Sequence, residues 1–261
     1  MGKMKRIFLL IVLFPFFLPP LIEGEEQQTR TQKSLLERTF FYTANKWGMP
    51  ILKASIKIKN GIEKEGPPLF QIEAQVDSLP NLRYLFWMKN RFVSIIDEKS
   101  GSPISYTKEI HQGGLLIKNK NYHQLITFDP LRQNVVIENG NPKEKRVLSI
   151  PLETYDPLSL FAKYYLKEEL QAGQTLHLSV FDGIKPRTMT FHTREEKVNC
   201  KWVGSAQTIC LESTTPLSTF GDKEGRIQIW YTALGEKIPI LMELDLPIGK
   251  IRFELDEVKG N

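Results

Sequence analysis

From Thr39 onward, apolar residues recur with a period of two. In 51–60, Leu52, Ala54, Ile56 and Ile58 alternate with Lys53, Ser55, Lys57 and Lys59. One face of an extended strand therefore meets a core while the other meets water. Shorter runs of the same kind lie at 69–77, 91–97, 104–110, 122–128, 134–138 and 146–150, and again at 176–181, 188–193, 226–232, 238–244 and 250–255. Turn residues punctuate them: Gly66-Pro67-Pro68, Lys99-Ser100-Gly101, Gly113-Gly114, Asp129-Pro130 and Asn139-Gly140-Asn141-Pro142. Short strands joined by turns predict antiparallel pairing, because parallel neighbours need crossovers of about a dozen residues or more.

One segment has a different period. Leu158, Phe161, Ala162, Tyr165 and Leu166 fall at helical spacing behind Asp156, a capping residue, and Pro157, which suits a first turn; Gly173 follows as a stop signal. This predicts one amphipathic helix at about 156–170, with its stripe packed on a sheet rather than offered to a partner. The fold class expected is mainly β: an antiparallel two-sheet sandwich or an open, curled barrel, with the helix lying across it. Residues 39–258 read as a single domain without internal repeat or linker.

The first 24 residues read as an export signal. Lys3, Lys5 and Arg6 precede an apolar run over 7–18 that is broken by Pro15 and followed by Pro19-Pro20. The unbroken apolar stretch is shorter than the roughly 20 residues of a membrane span, so no transmembrane span is expected after cleavage near Gly24. Residues 25–38 follow as a polar, flexible segment. Cleavage would remove three positive charges and one negative charge, taking the formal +5 to +3. The remaining excess is mild and spread along the chain, which argues against nucleic acid as a partner. The expected location is the periplasm.

Export gives the two cysteines a reading. Cys200 and Cys210 flank Gly204-Ser205; a hairpin centred near 205 would place the sulfurs on facing strands and join them as a disulfide. Zinc is not expected, because further ligands are missing at the local spacing of a zinc motif. His177 and His192 would face each other if the Asp182-Gly183 hairpin were centred between Ile184 and Lys185, and a cross-strand surface pair is the reading preferred over a metal or pH-sensitive site. The acidic neighbours Asp97-Glu98, Glu168-Glu169 and Glu195-Glu196 do not make an acid–base pair, since sequence neighbours on a strand point to opposite faces. Nucleophile-elbow, phosphate-loop and metalloprotease motifs are all missing from the sequence, so neither catalysis nor a cofactor is expected.

Aromatic residues cluster instead. Trp47 follows Phe40, Phe41 and Tyr42, and the run LPNLRYLFWM over 79–88 brings Tyr84, Phe86 and Trp87 together. Such a run lines an apolar cavity, lies at a membrane or partner surface, or fills a core. Trp47, Tyr84, Phe86 and Trp87 are the candidate ligand-binding residues.

The second half also carries a recognisable order of features: Asp156-Pro157-Leu158-Ser159 with its helix, Gly173, Asp182-Gly183 and Lys185, Gly204, Gly225, Ile229-Trp230, Ile238-Pro239 and Ile248-Gly249. With Trp47-Gly48 and 102–106 in the first half, this resembles the bacterial family called domain of unknown function 3108, over nearly the whole mature chain. The resemblance implies an exported, β-rich envelope protein and no reaction. Lys163 or Lys167 stands where the family pattern has an arginine, and Ala233 stands near an expected aspartate. The outline is also similar to the incomplete barrels of lipoprotein-carrier proteins, an analogy of fold only. The function expected is non-catalytic binding or carriage of a lipid or other apolar envelope component; the alternative is a structural or assembly factor acting on envelope protein partners.

Overall fold

The computed structural model describes residues 37–60, 68–140, 143–217, 223–246 and 249–260. The expected export signal 1–24, residues 25–36 of the polar segment, and positions 66–67, 141–142 and 248 lie outside the described residues. Glu37 and Arg38, assigned above to the flexible segment, belong to the first strand.

Two meanders build the molecule. The first runs through β1 (Glu37–Lys46), β2 (Met49–Asn60), β3 (Leu69–Ser78), β4 (Phe86–Asp97), β5 (Pro103–Gly114), β6 (Lys120–Asp129), β7 (Asn134–Asn139) and β8 (Glu144–Ser149). A short β9 (Thr154–Tyr155) and α1 (Pro157–Ala162) lead to the second: β10 (Thr175–Phe181), β11 (Pro186–Cys200), β12 (Gly204–Leu217), β13 (Lys223–Thr232), β14 (Pro239–Leu246) and β15 (Gly249–Gly260). Because β15 pairs with β1, the meanders fuse into one 15-stranded sheet with β8 at one edge and β9 at the other. Only β9 with β10 is parallel among the described pairs. The two-sheet sandwich is thus replaced by a single ladder that does not close. Alternation determines which face each residue uses but not what that face packs against, so the sequence left both architectures open.

Aromatic contacts show how the sheet curls. Phe40 of β1 meets Tyr165 at 5.2 Å, Phe161 of α1 meets Tyr231 of β13 at 6.4 Å, and Phe128 of β6 meets Phe181 of β10 at 6.5 Å. Strands so distant in the ladder converge only where the sheet wraps around the helix. Register shifts at Phe41/Tyr42, Ala44/Asn45, Ile95/Ile96 and Trp230/Tyr231 supply extra twist. The two ends of the ladder are stitched by side chains rather than backbone: besides Phe128 and Phe181, the Lys108 ammonium donates to the Asp182 carbonyl at 2.8 Å.

The helix starts where the sequence placed it. Asp156 accepts from the Leu158 and Ser159 amides, and the Ser159 hydroxyl closes a capping box. Its other carboxylate oxygen accepts from Ser94 of β4 at 2.7 Å, which ties the helix start to the sheet. The expected continuation to 170 does not form. The α-helix ends at Ala162 and a π turn covers Lys163–Lys167, with the Glu168 amide donating to the Lys163 carbonyl. That wider turn buries Tyr164 as well as Tyr165, a residue the helical stripe omitted.

The cysteine hairpin also differs from expectation. Cys200 pairs with Gly204 and Cys210 with Arg194, so the apex is Lys201-Trp202-Val203 rather than residue 205. The two cysteines are offset by six residues along the ladder, about 20 Å of strand, and no disulfide forms. Both are buried free thiols, and burial pushes the Cys210 thiol up to about 12. Cys210 stands between Arg194 and Trp230, whose ring nitrogen donates to Glu196, and Glu212 and Gln228 also lie near its thiol.

Candidate functional site

Inward-facing residues form cross-strand rows, and the rows are not equally covered. Toward the helix, Ile58, Ile72, Ser94, Tyr106, Ile126 and Ile137 stand side by side across six strands, and all are sealed from solvent. Phe161 and Tyr165 complete this region, stacked on each other at 6.2 Å. The next row, Ile56–Ala74–Phe92–Lys108–Gln124–Asn139, begins to open: Ala74 and Phe92 are half-buried. Further from the helix, Ile229, Met242 and Phe253 share a row with Ala44 and Leu52, and Ile227, Leu244 and Ile251 form another. All six of these β13–β15 residues are half-buried. On β2 and β3 the small side chains of Ala54 and Ala74 are half-buried, whereas Ala44, Leu52 and Tyr42, which stands opposite Ala54, are covered. The inward face is thus sealed beside the helix and carries a half-covered, largely apolar stretch, the trough, toward the opposite rim.

Ionisable groups are sparse on this wall. Lys108 is the cation of its row; burial lowers its pKa from the ordinary lysine range, opposed by Asp182 and reinforced by Lys120. Gln124 donates to Asn139 at 3.0 Å, while its side-chain oxygen lacks a protein partner. Gly183 presses against this pair: a methyl group there would come within 2.5 Å of the Gln124 oxygen. Asp156, below the sealed row, has its pKa raised by complete burial, against hydrogen bonds from Ser94, Ser159 and Leu158 that favour its ionised form. No carboxylate joins Lys108 in the trough rows, so the wall offers contact area and a single polar corner rather than an acid–base pair.

The four candidate residues lie on the rim, not in the trough. Trp47 is at the tip of the β1–β2 turn and is 79% exposed; Tyr84, in the β3–β4 connection, is 90% exposed. Trp87 is on the outward side of β4, where its ring lies over Gly113 so closely that a methyl there would sit 3.0 Å from it. This explains why Gly113-Gly114, read above as a turn, ends β5 instead. Phe86 is half-buried at the start of β4. Tyr84 and Trp87 do share a surface groove of about 900 Å³ with Leu79, Pro80, Arg83, Met88 and Lys89, but Trp47 is not part of it. The trough residues, above all Met242 and Phe253, escaped the sequence reading. Their strands alternate like any other strand, and only what packs over it distinguishes a covered inward residue from an uncovered one.

His177 and His192 do not face each other. His177 pairs with Thr190 and His192 with Thr175, each ring nitrogen within hydrogen-bonding distance of a threonine hydroxyl. The hairpin is centred one position earlier than expected, which moves the facing residue by two. Among the described residues, no group of three or more His, Cys, Asp and Glu side chains is placed to hold a metal ion, and no helix is long and apolar enough to cross a membrane.

Comparison with known proteins bears on the fold. A crystal structure of a β-barrel-like protein of domain of unknown function 1849 from Brucella abortus superposes with a TM-score of 0.54, covering 87% of this chain and 99% of that one at 10% identity. No curated protein matches the sequence. The sequence profile of the proteins of unknown function DUF3108 matches residues 39–256, and the chain belongs to that family.

Proposed function

We propose that this protein is an exported, non-catalytic binding or carrier protein of the periplasm that receives an apolar envelope component in the trough. The supporting observation is the uneven filling of one concave face. Near the helix it is packed solid, while Phe92, Ile229, Met242 and Phe253 remain half-buried at the other end, although they face the same side as the core. An apolar wall left partly wet has a free-energy gain available on binding, roughly 25 cal/mol for each Å² of apolar surface removed from water. The single amine of Lys108 at one side provides one polar anchor point.

A displaceable fluorescent acyl probe tests the reading. Wild-type protein should bind it, and Ala54→Trp, which fills the trough from β2, should weaken binding at least about tenfold, whereas Trp87→Ala on the outer rim should change it little. Absence of displaceable binding, or equal binding by Ala54→Trp, would favour the alternative of an assembly factor working through protein contacts.

A further inference from the structure

We propose that the rim of the sheet carrying Trp47, Met49, Tyr84, Leu85, Leu115 and Leu116 docks onto the surface of an anionic lipid bilayer. Three connections build this rim: the β1–β2 turn at 47–48, the β3–β4 connection at 79–85 and the β5–β6 connection at 115–119. Backbone bonds hold them at one end of the sheet, from Leu79 to the Ile51 carbonyl at 3.2 Å and from Leu116 to the Leu85 carbonyl at 3.1 Å. Leu115 and Leu116 are 84% and 68% exposed, at the same end of the sheet as Trp47 and Tyr84.

This clustering is not what strand ends show by default. At the opposite end the exposed apolar residues are aliphatic, such as Leu131, Leu152 and Leu234, whereas the large exposed aromatics among the described residues, Trp47, Tyr84 and Trp87, all stand on the proposed rim. Trp47 carries a conformational penalty besides. Its φ of 52° and the 78° of Gly48 define a tight hairpin turn whose first central position normally takes Asn, Asp or Gly. Against this strain the bulky ring, most of its surface in water, sets a cation–π contact with its neighbour Lys46, whose ammonium lies 4.4 Å from the ring centroid.

Charge selects the partner. The segments 46–50, 77–89 and 112–121 contain Lys46, Arg83, Lys89, Lys118 and Lys120 against the single acid Asp77. These three segments carry a net charge of +4, against +5 for the whole chain. Indole and phenol rings favour the headgroup level of a bilayer, leucines reach the acyl boundary, and lysine and arginine meet anionic headgroups. Docked this way, the rim would bring the trough mouth toward the lipid; the docking itself does not depend on the trough holding a ligand.

The test uses the whole chain with sedimented vesicles of phosphatidylcholine, with and without phosphatidylglycerol. Wild type and variants share the same N-terminal apolar run, so its contribution cancels in the comparison. Binding to phosphatidylglycerol vesicles should fall at least about tenfold in the triple variant Trp47→Ser, Leu115→Ser, Leu116→Ser. The double variant Lys118→Glu, Lys120→Glu should lose affinity for anionic vesicles and show a shallower salt dependence. Brominated lipid should quench a component of the tryptophan emission that disappears in Trp47→Ser. Because these side chains are exposed, apart from the half-buried Lys120, far-UV circular dichroism and urea midpoints should match wild type, and the charge variant serves if the triple variant misfolds. Equal vesicle binding by wild type and variants, no binding to vesicles of either composition, or unchanged quenching in Trp47→Ser would overturn the proposal. Acyl-probe binding should persist in the triple variant, while Ala54→Trp should still sediment with vesicles, so failure of docking and failure of the trough are separately visible.

Discussion

Tyr106 and Phe92 stack in parallel at 6.5 Å on neighbouring strands of the same concave face, yet Tyr106 is sealed and Phe92 is half open. The difference extends along their rows. From Ile58 to Ile137 every side chain is covered, by Leu158, Phe161 and Tyr165 and by the β10–β11 hairpin, whose Gly183 lies against Ile126; Ile229, Met242 and Phe253 stay half-buried. Strand composition is similar at both ends, with isoleucine, phenylalanine and methionine alternating with polar residues. Covering therefore comes from where an eleven-residue insert, 157–167, and the β10–β11 hairpin happen to lie, and it divides one face into a core and a candidate binding wall.

Substitutions at matched aromatics measure that division. Phe161→Ala should have the largest effect, about 3–5 kcal/mol lost in urea unfolding, since the ring is 5% exposed and packed between Tyr165 and Tyr231. An unshifted midpoint would mean that the helix is not what seals this end. Asp156→Ala should follow at about 2–3 kcal/mol, because it removes the helix cap and leaves the Ser94 hydroxyl without its acceptor. The same carboxyl gives the sealed end a pH signature. Its folded pKa is raised by burial, so its contribution is fullest in acid, below the unfolded value of about 3.9, and is lost as pH rises through the folded value. Wild type should lose ground to Asp156→Asn between that acid range and neutrality, whereas parallel stability curves would show that Asp156 does not feel the sealed environment. Phe253→Ala at the open end should cost least, about 1–2 kcal/mol, because a half-exposed ring gives up less buried area and leaves no closed cavity. A loss matching that of Phe161→Ala would erase the contrast between the ends.

How much of this could be read beforehand depended on the range of the interaction. The alternation in 51–60 located β2 because lysines mark its wet face directly, and Asp156-Pro157 located the helix start because capping involves only the next three residues. The end of the helix was not legible: a π turn keeps the apolar stripe nearly intact while rotating Tyr164 inward. The cysteines failed for a similar reason. Gly204-Ser205 carries a turn signal and Lys201-Trp202-Val203 does not, yet the apex is the latter, and a shift of three in the centre moves every partner by six.

The candidate site shows the same limit. The aromatic run over 79–88 was visible, but side-chain alternation cannot tell a core from a rim, and Tyr84 proved to be among the most exposed residues of its type. Local periodicity and turn chemistry, which act over a few residues, determined that the chain is β-rich with one capped helix, and the ordered motifs identified its family. Tertiary structure alone decided that the strands form one curled sheet, that the helix fills only one end of it, and that five basic residues far apart in sequence meet at one rim. Those outcomes depend on hydrogen-bond register and on packing between segments more than a hundred residues apart, such as Phe40 with Tyr165, where a slip of one residue would turn every side chain to the other face.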